Sequence, residues 1–126
     1  MNIALWASAG LLALIFLAAG SLKLSQPKAK LAASGMGWAA DMSAGTVKLI
    51  GAAEVLGAIG LVLPPLVNIA AVLAPVAAVG LAITMVGAIV VHLQRKEYQG
   101  LVAPVVLLVL AVFVAVGRFV LVPFGA

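Results

Sequence analysis

Three ionisable residues stand within or at the ends of long apolar stretches of this chain: Lys23, Glu54 and His92. An acidic group near the centre of a membrane span costs about 2.5–3.5 kcal/mol on insertion scales, so it normally faces other helices and has a partner. A carboxylate, an ammonium and an imidazole together could hold or move a proton, or bind the polar head of a small molecule. We therefore expect these three side chains to converge in one half of a helical bundle.

Each of the three residues also has a simpler interpretation. A buried Glu54 paired with Lys23 can fix helix register without any chemistry. Lys23 by itself can extend to the membrane interface as an anchor, and His92, which is followed closely by basic residues, can lie at the same interface. Lys48 belongs to the candidate cluster too, but six residues before Glu54 it is offset by about 120° on the same helix, so a direct pair requires its side chain to bend round.

Small residues lie one helical turn from Glu54 on either side. Small side chains allow a second helix backbone to approach closely, so we expect the Glu54 face to contact other helices and not lipid. The predicted packing or pocket positions are small or flexible residues near the ionisable ones: Gly20, Gly51, Gly57 and Met85.

Several kinds of chemistry are excluded by residue type. The chain has no cysteine, which excludes disulfides, thiol redox chemistry and cysteine metal sites within it. A single histidine cannot build a haem or zinc site. No phosphate-binding glycine loop, catalytic triad or pair of carboxylates occurs, so no cofactor or metal is predicted and an enzyme in its own right is the least supported class.

The elements that must position these residues are membrane spans. Residues 55–91 are free of formal charge, and a single helix of that length would measure about 55 Å, whereas the hydrocarbon core of a bilayer is about 30 Å thick. We therefore expect two spans joined by a turn at Pro64-Pro65. Charge-free length predicts four spans, at about 3–24, 45–63, 67–93 and 102–122. Pro75 predicts a kink in the third span or a start nearer to Ala74.

Composition supports an all-α integral membrane four-helix bundle formed by residues 1–126 as one domain. Hydrophobic residues make up 67% of the chain and charged residues 8%, against about 25% charged in soluble domains. The net charge of +4 does not indicate nucleic acid, because the basic residues gather in two loops. The apolar N-terminal stretch precedes its basic residues, which indicates a retained span and not a cleaved signal.

Charge also predicts orientation. Six basic residues lie in or beside loops one and three, and one lies at the opposite side, so loops one and three should be cytoplasmic and both termini and the proline turn outside. The segment Arg95-Lys96-Glu97 reads as a solvated turn in contact with anionic lipid. The first loop has four breakers, Pro27, Gly35, Gly37 and Gly45, and three residues that suggest headgroup level, Met36, Trp38 and Met42.

Four segments carry a resemblance to a known family. They are FLAAGSLKL (16–24), MGWAADMSAGTVKLIGAAEVLGAIGLVLP (36–64), AAVGLAITMVGAIVVHLQRKE (77–97) and GRF (117–119). In order and content they resemble the DoxX-like family of small four-span bacterial membrane proteins, whose pattern has a lysine, a glutamate and a histidine at Lys23, Glu54 and His92. The resemblance implies a four-helix bundle in the bacterial inner membrane and an association of some relatives with membrane oxidoreductase systems.

Three functions from different classes are compatible with these residues. The first, which we favour at this point, is a non-catalytic subunit or scaffold that docks on a larger membrane complex or on a second copy of itself. The second is a binder of a quinone or another amphipathic small molecule in an intramembrane pocket. A transporter is the third, and four helices without broken midplane segments do not favour it in a monomer.

Overall fold

The computed structural model describes residues 1–33 and 36–124 and is all-α over these residues, so the expected fold class is confirmed. Four helices are long and apolar enough to cross a membrane. They are α1 (Asn2–Ser25), α3 (Ala44–Val67), α4 (Leu73–Gln94) and a composite fourth helix, in which a 3₁₀ turn (Tyr98–Leu101) precedes α5 (Val102–Val116) and a π-helical turn (Gly117–Leu121) follows it. A short helix, α2 (Lys28–Ala33), and a 3₁₀ turn (Gly37–Asp41) lie in the first loop. The predicted breaker Gly35 lies outside the described residues.

The four long helices form a closed ring of neighbours. Helix α3 packs against α4 and α4 against α5, and α1 closes the bundle between α3 and α5. The centre is a narrow core in which small residues alternate with a few large ones: Ala9, Leu12, Phe16, Ala58, Leu61, Ala78, Leu81, Met85, Ala111, Val114 and Ala115. Large aliphatic side chains instead cover the outside, as Leu49 (71% exposed) and Ile83 (67%) illustrate. This inside-out distribution suits a lipid solvent, in which helices pack through small residues.

The position of the turn between α3 and α4 differs from the sequence prediction. Pro64 and Pro65 lie inside α3, which continues to Val67. The helix ends because Asn68 takes a left-handed conformation (φ 57°) and donates its backbone N–H to the Pro64 carbonyl. Each proline lacks the N–H that would bond the carbonyl four residues earlier, and the helix ends two residues after Pro65, so the disruption is confined to its last turns. The prediction that the prolines themselves form the turn was therefore wrong by a few residues.

The third span also starts later than predicted, at Leu73 and not near residue 67. Pro75 is the third residue of α4, where its missing N–H costs nothing because the first N–H groups of a helix have no partner within it. The alternative expectation, a helix start nearer to Ala74, describes the observed geometry. Pro104 likewise falls in the first turn of α5.

The first loop folds back onto one end of the bundle. Buried Leu31 of α2 and Ala39 of the 3₁₀ turn form a small apolar cluster with Val47 of α3. Ser43 is the N-cap of helix α3, and its hydroxyl accepts the backbone N–H of Thr46 at 3.1 Å. The loop therefore covers the end of the bundle at which α1 finishes and α3 starts.

Candidate functional site

An ion pair between α1 and α3 lies at the covered end of the bundle. The Lys23 ammonium donates a hydrogen bond to Glu54 Oε1, and the two residues are only 7% and 1% exposed. The carboxylate therefore faces the bundle interior, and its partner is the lysine at the end of the first span. Because both groups are buried inside the protein, each depends on the other as its partner, and the pair favours one register of α1 against α3.

Two glycines bring the backbones of α1 and α3 together beside this pair. A Cβ on Gly20 would lie 2.7 Å from the Gly51 carbonyl oxygen, and a Cβ on Gly51 would lie 2.8 Å from Lys23 Cβ. Real Cβ atoms do not approach so closely, so only glycine fits at these positions. Between α3 and α4 a Cβ on Gly57 would lie 2.7 Å from Leu81 Cδ2, so the Leu81 side chain packs directly on this glycine.

A cavity of about 280 Å³ opens next to the ion pair, between α3 and α4 and beneath the first loop. Its polar groups come from Lys23, Glu54, Thr84 and His92, and the remaining walls are apolar. The apolar lining residues are Trp38, Met42, Ile50, Met85, Gly87, Ala88 and Val91. Because Gly87 is exposed on the outer face of α4, the cavity reaches the lipid-facing surface.

Trp38 covers the ion pair from the first loop. Its ring lies 5.6 Å from Lys23 Nζ, a distance at which a cation is attracted to the face of an indole. Sequence reasoning expected Trp38 at headgroup level and did not connect it with Lys23. The sequence feature that could have indicated this contact is the presence of an aromatic residue in the loop that joins α1, which carries Lys23, to α3, which carries Glu54.

His92 lines the same cavity without contacting the ion pair through a hydrogen bond. Its Nδ1 atom is buried and has no hydrogen-bond partner among the described residues, although Glu97 Oε1 lies 3.3 Å away. A Cβ on Gly100 would lie 2.9 Å from the same nitrogen, so the third loop packs tightly on the imidazole. The structure thus brings Lys23, Glu54 and His92 around one space, with only the first two in direct contact.

Lys48 lies apart from this cluster. Its ammonium donates to the Leu24 carbonyl at 3.0 Å and is exposed. The six-residue offset from Glu54 directs it along the outside of α3 towards the C-terminal end of α1, where a cation complements the helix dipole. Lys48 therefore caps a helix instead of lining the cavity.

The model of the DoxX-like family matches residues 7–114, which is most of the chain. The chain belongs to the DoxX-like family. The matched range contains both members of the ion pair and every residue that lines the cavity. No curated protein matches this chain. No solved structure matches it either.

In this DoxX-like protein the first and third loops are linked to each other at the cavity end of the bundle. Arg95 bonds to Asp41 of the first loop, and its Nε donates to Glu97 Oε1 at 3.0 Å. Desolvation lowers the pKa of Arg95, but its hydrogen bond to Glu97 and the charge of Asp41 raise the pKa more, so the pKa of Arg95 lies above its ordinary value. The guanidinium is thus permanently charged. The segment Arg95-Lys96-Glu97 therefore links the third loop to the first in addition to forming a solvated turn.

This DoxX-like site presents hydrogen-bonding groups to a cavity whose other walls are apolar. Among the described residues no group of three His, Asp or Glu side chains could hold a metal ion. The lysine retains donor capacity beyond its bond to Glu54, and the imidazole adds a second polar group. The site can therefore hydrogen-bond a polar head inside an apolar enclosure.

Proposed function

We propose that this multi-pass membrane protein binds an amphipathic small molecule with an uncharged polar head in the cavity beside Lys23 and Glu54. The observation that supports this function best is the coincidence of that cavity with the ion pair and with His92. A scaffold needs helix surfaces but has no use for an internal space lined by polar groups. The geometry therefore favours the binder over the non-catalytic subunit.

The charge balance of the cavity indicates the type of head group. The positive charge of Lys23 is matched by Glu54, so a charged ligand would have to compete with a buried partner. Removing one member of such a pair costs about 3–5 kcal/mol, which few ligands could offset. A neutral acceptor such as a quinone carbonyl can use the lysine donors that remain and leave the pair intact.

The size and position of the cavity indicate the rest of the molecule. The cavity volume of about 280 Å³ is just below the usual range of ligand pockets, about 300 to 1,000 Å³, so the cavity would enclose a head group and not a whole lipid. The exposed Gly87 marks where a tail could leave between α3 and α4 into the bilayer. A quinone, with a compact ring and an apolar tail, fits both requirements.

The two tryptophans offer a direct test, because Trp38 lines the cavity and Trp6 lies at the other end of the bundle beside Phe124. A Trp6→Phe variant in nanodiscs is titrated with a decyl-substituted benzoquinone while Trp38 fluorescence is recorded. We expect saturable quenching of Trp38. The matched Trp38→Phe variant retains Trp6 as its fluorophore. It should show only the linear quenching that quinone dissolved in the bilayer causes.

A cavity-filling variant completes the test. Ala88→Leu adds a larger side chain to the cavity wall on α4 and should abolish the saturable part of the quenching while the helices remain folded by circular dichroism. Equal linear quenching of both tryptophans in the unfilled protein would rule out quinone binding at this site.

The scaffold remains a second candidate because one outer face of the bundle carries residues without bulky side chains. Gly80 and Gly87 of α4 are exposed, and a Cβ at either would meet nothing within 4 Å. Such a surface lets another helix approach closely. A stoichiometric protein found by mass spectrometry after gentle detergent extraction, and lost in a Gly80→Leu variant, would favour the subunit or a homo-oligomer.

We further propose that the cavity faces the cytoplasm of a bacterial cell and that the protein lies in the inner membrane. All basic side chains except Arg118 lie at the cavity end, which matches the positive-inside rule. Because the chain has no cysteine, single substitutions report sidedness directly. In intact cells an impermeant maleimide should label Asn2→Cys and spare Ser25→Cys; the reverse pattern would invert the topology.

A further inference from the structure

We propose a second binding site, for an oxyanion group such as a phosphate or a carboxylate, at the end of the bundle opposite the quinone cavity. Its central residue is Arg118, in the π-helical turn that follows α5. Arg118 is only 5% exposed, although no function considered so far uses it. A Cβ on the neighbouring Gly117 would overlap the Leu5 side chain, so this turn packs directly against a side chain of α1.

The acidic side chains of the protein are all engaged elsewhere. The chain contains three Asp and Glu residues. Glu54 pairs with Lys23, and both Asp41 and Glu97 pair with Arg95 at the cavity end. No acidic side chain of this sequence therefore remains to neutralise Arg118.

The guanidinium is also incompletely hydrogen-bonded. Its Nη1 donates to the Val122 carbonyl at 3.1 Å, whereas Nη2 is buried without a hydrogen-bond partner in the described part of the chain. Buried polar groups normally have partners, and an unpaired buried cation is especially unfavourable. The missing partner is one that accepts hydrogen bonds and carries negative charge.

Two aromatic rings pack against the guanidinium from one side. The Phe124 ring centre lies 3.9 Å from Arg118 Cζ and the Trp6 ring centre lies 5.7 Å from it, and the two ring centres are themselves 5.7 Å apart. These rings attract the cation but accept no hydrogen bond from Nη2. The N–H groups of a guanidinium point outwards from its edge, in the fork geometry that matches two oxygens of a phosphate or carboxylate.

A second cavity adjoins this residue. It has a volume of about 320 Å³ and extends from Arg118 to Phe124 and to the turn between α3 and α4. Pro75, in the first turn of α4, is part of its wall, so the positive end of that helix dipole also faces the space. The cavity thus combines room for an anion with two sources of positive potential. The group could belong to a phospholipid headgroup or to a free anion in the surrounding water.

The test measures thermal unfolding in lipid-free detergent, in protein with a C-terminal tag that keeps the terminal carboxylate away from the bundle. Inorganic phosphate is added in one series and dihexanoyl phosphatidylglycerol in another, each against chloride at equal ionic strength. We expect a saturable rise in the unfolding temperature. Arg118→Gln should weaken the apparent affinity by at least about tenfold, the effect of losing charge-assisted hydrogen bonds. The control Lys48→Gln makes the same charge change at an exposed site and should leave the response unchanged.

The two series distinguish the sources. A response to inorganic phosphate indicates a free anion, and a response to the short-chain lipid alone indicates a headgroup. Ala71→Asp provides an independent check that keeps Arg118, because it places a carboxylate in the wall of the cavity. It should raise the unfolding temperature without any anion and remove the response to added anions. The proposal is overturned if neither series stabilises the protein, or if Arg118→Gln responds as strongly as the unaltered chain.

Discussion

The strongest quantitative prediction concerns the pair of Lys23 and Glu54. Both groups are almost completely buried, so their interaction needs no discount for solvent screening. Removing one partner of a buried pair costs about 3–5 kcal/mol because the other charge is left uncompensated. The Lys23 side chain lies close to the membrane interface and can partly reach water when its partner is lost. We therefore expect Glu54→Met to lower the free energy of unfolding by about 3 kcal/mol, the lower limit of this range.

The double variant should behave differently from the sum of its parts. Replacing both partners of a buried pair by apolar residues is often neutral or stabilising by about 1–4 kcal/mol. We therefore expect Lys23→Met and Glu54→Met each to destabilise strongly and the double variant to recover most of the loss. Reversible unfolding in mixed micelles with increasing dodecyl sulfate, followed by tryptophan fluorescence, measures all four corners of this double-mutant cycle.

The control and the refuting result are both well defined. Lys48→Met removes an exposed lysine of the same end and should change the free energy of unfolding little. Polar contacts between membrane helices average only about 0.6 kcal/mol in measured cycles. A coupling of that size or smaller between positions 23 and 54 would mean that the pair contributes no more than an ordinary hydrogen bond, and the register argument would be wrong.

Three further predictions concern packing, the loops and the ligand. Gly51→Ala should destabilise the protein by about 1–3 kcal/mol because the new Cβ would overlap α1. Gly80→Ala, whose new Cβ would meet nothing within 4 Å, should be neutral or stabilise by up to about 1 kcal/mol. The same unfolding experiment in mixed micelles compares the two variants. Asp41→Asn should weaken the contact with Arg95 and so raise the rate of quinone entry, with little change in stability. Stopped-flow quenching of Trp38 fluorescence measures that rate. An unchanged rate would mean that the loops do not control access to the cavity. His92→Gln should weaken quinone binding about threefold or more, the effect of one altered hydrogen bond, without changing the unfolding curve.

Much of the fold was predictable because lipid imposes simple rules. Charge-free length identified four spans, and the cost of a buried carboxylate required Glu54 to face another helix. The small residues around it predicted close contacts, and the geometry at Gly20, Gly51 and Gly57 matches that expectation. These are local arguments that need only the helical period and the solvent.

What could not be predicted depends on loops and helix ends. The turn after α3 is set by Asn68, whose left-handed conformation no periodicity reveals, and not by the two prolines before it. The position of Trp38 over Lys23 depends on how the first loop folds back, which is a tertiary fact. Arg118 is buried near the end of the last span because it packs against two aromatic rings, one of them Phe124, and neither contact follows from the spacing of the residues.

The two prolines near the end of α3 have a mechanical consequence. Because Pro64 and Pro65 have no backbone N–H to donate, the last turns of α3 are held by fewer backbone hydrogen bonds than the rest of the helix. This weakened segment lies at the opposite end of the bundle from the ion pair. A tilt of α4 about it would widen the gap between α3 and α4 near Gly87, whereas the glycine contact between α1 and α3 lies outside that gap and would stay closed.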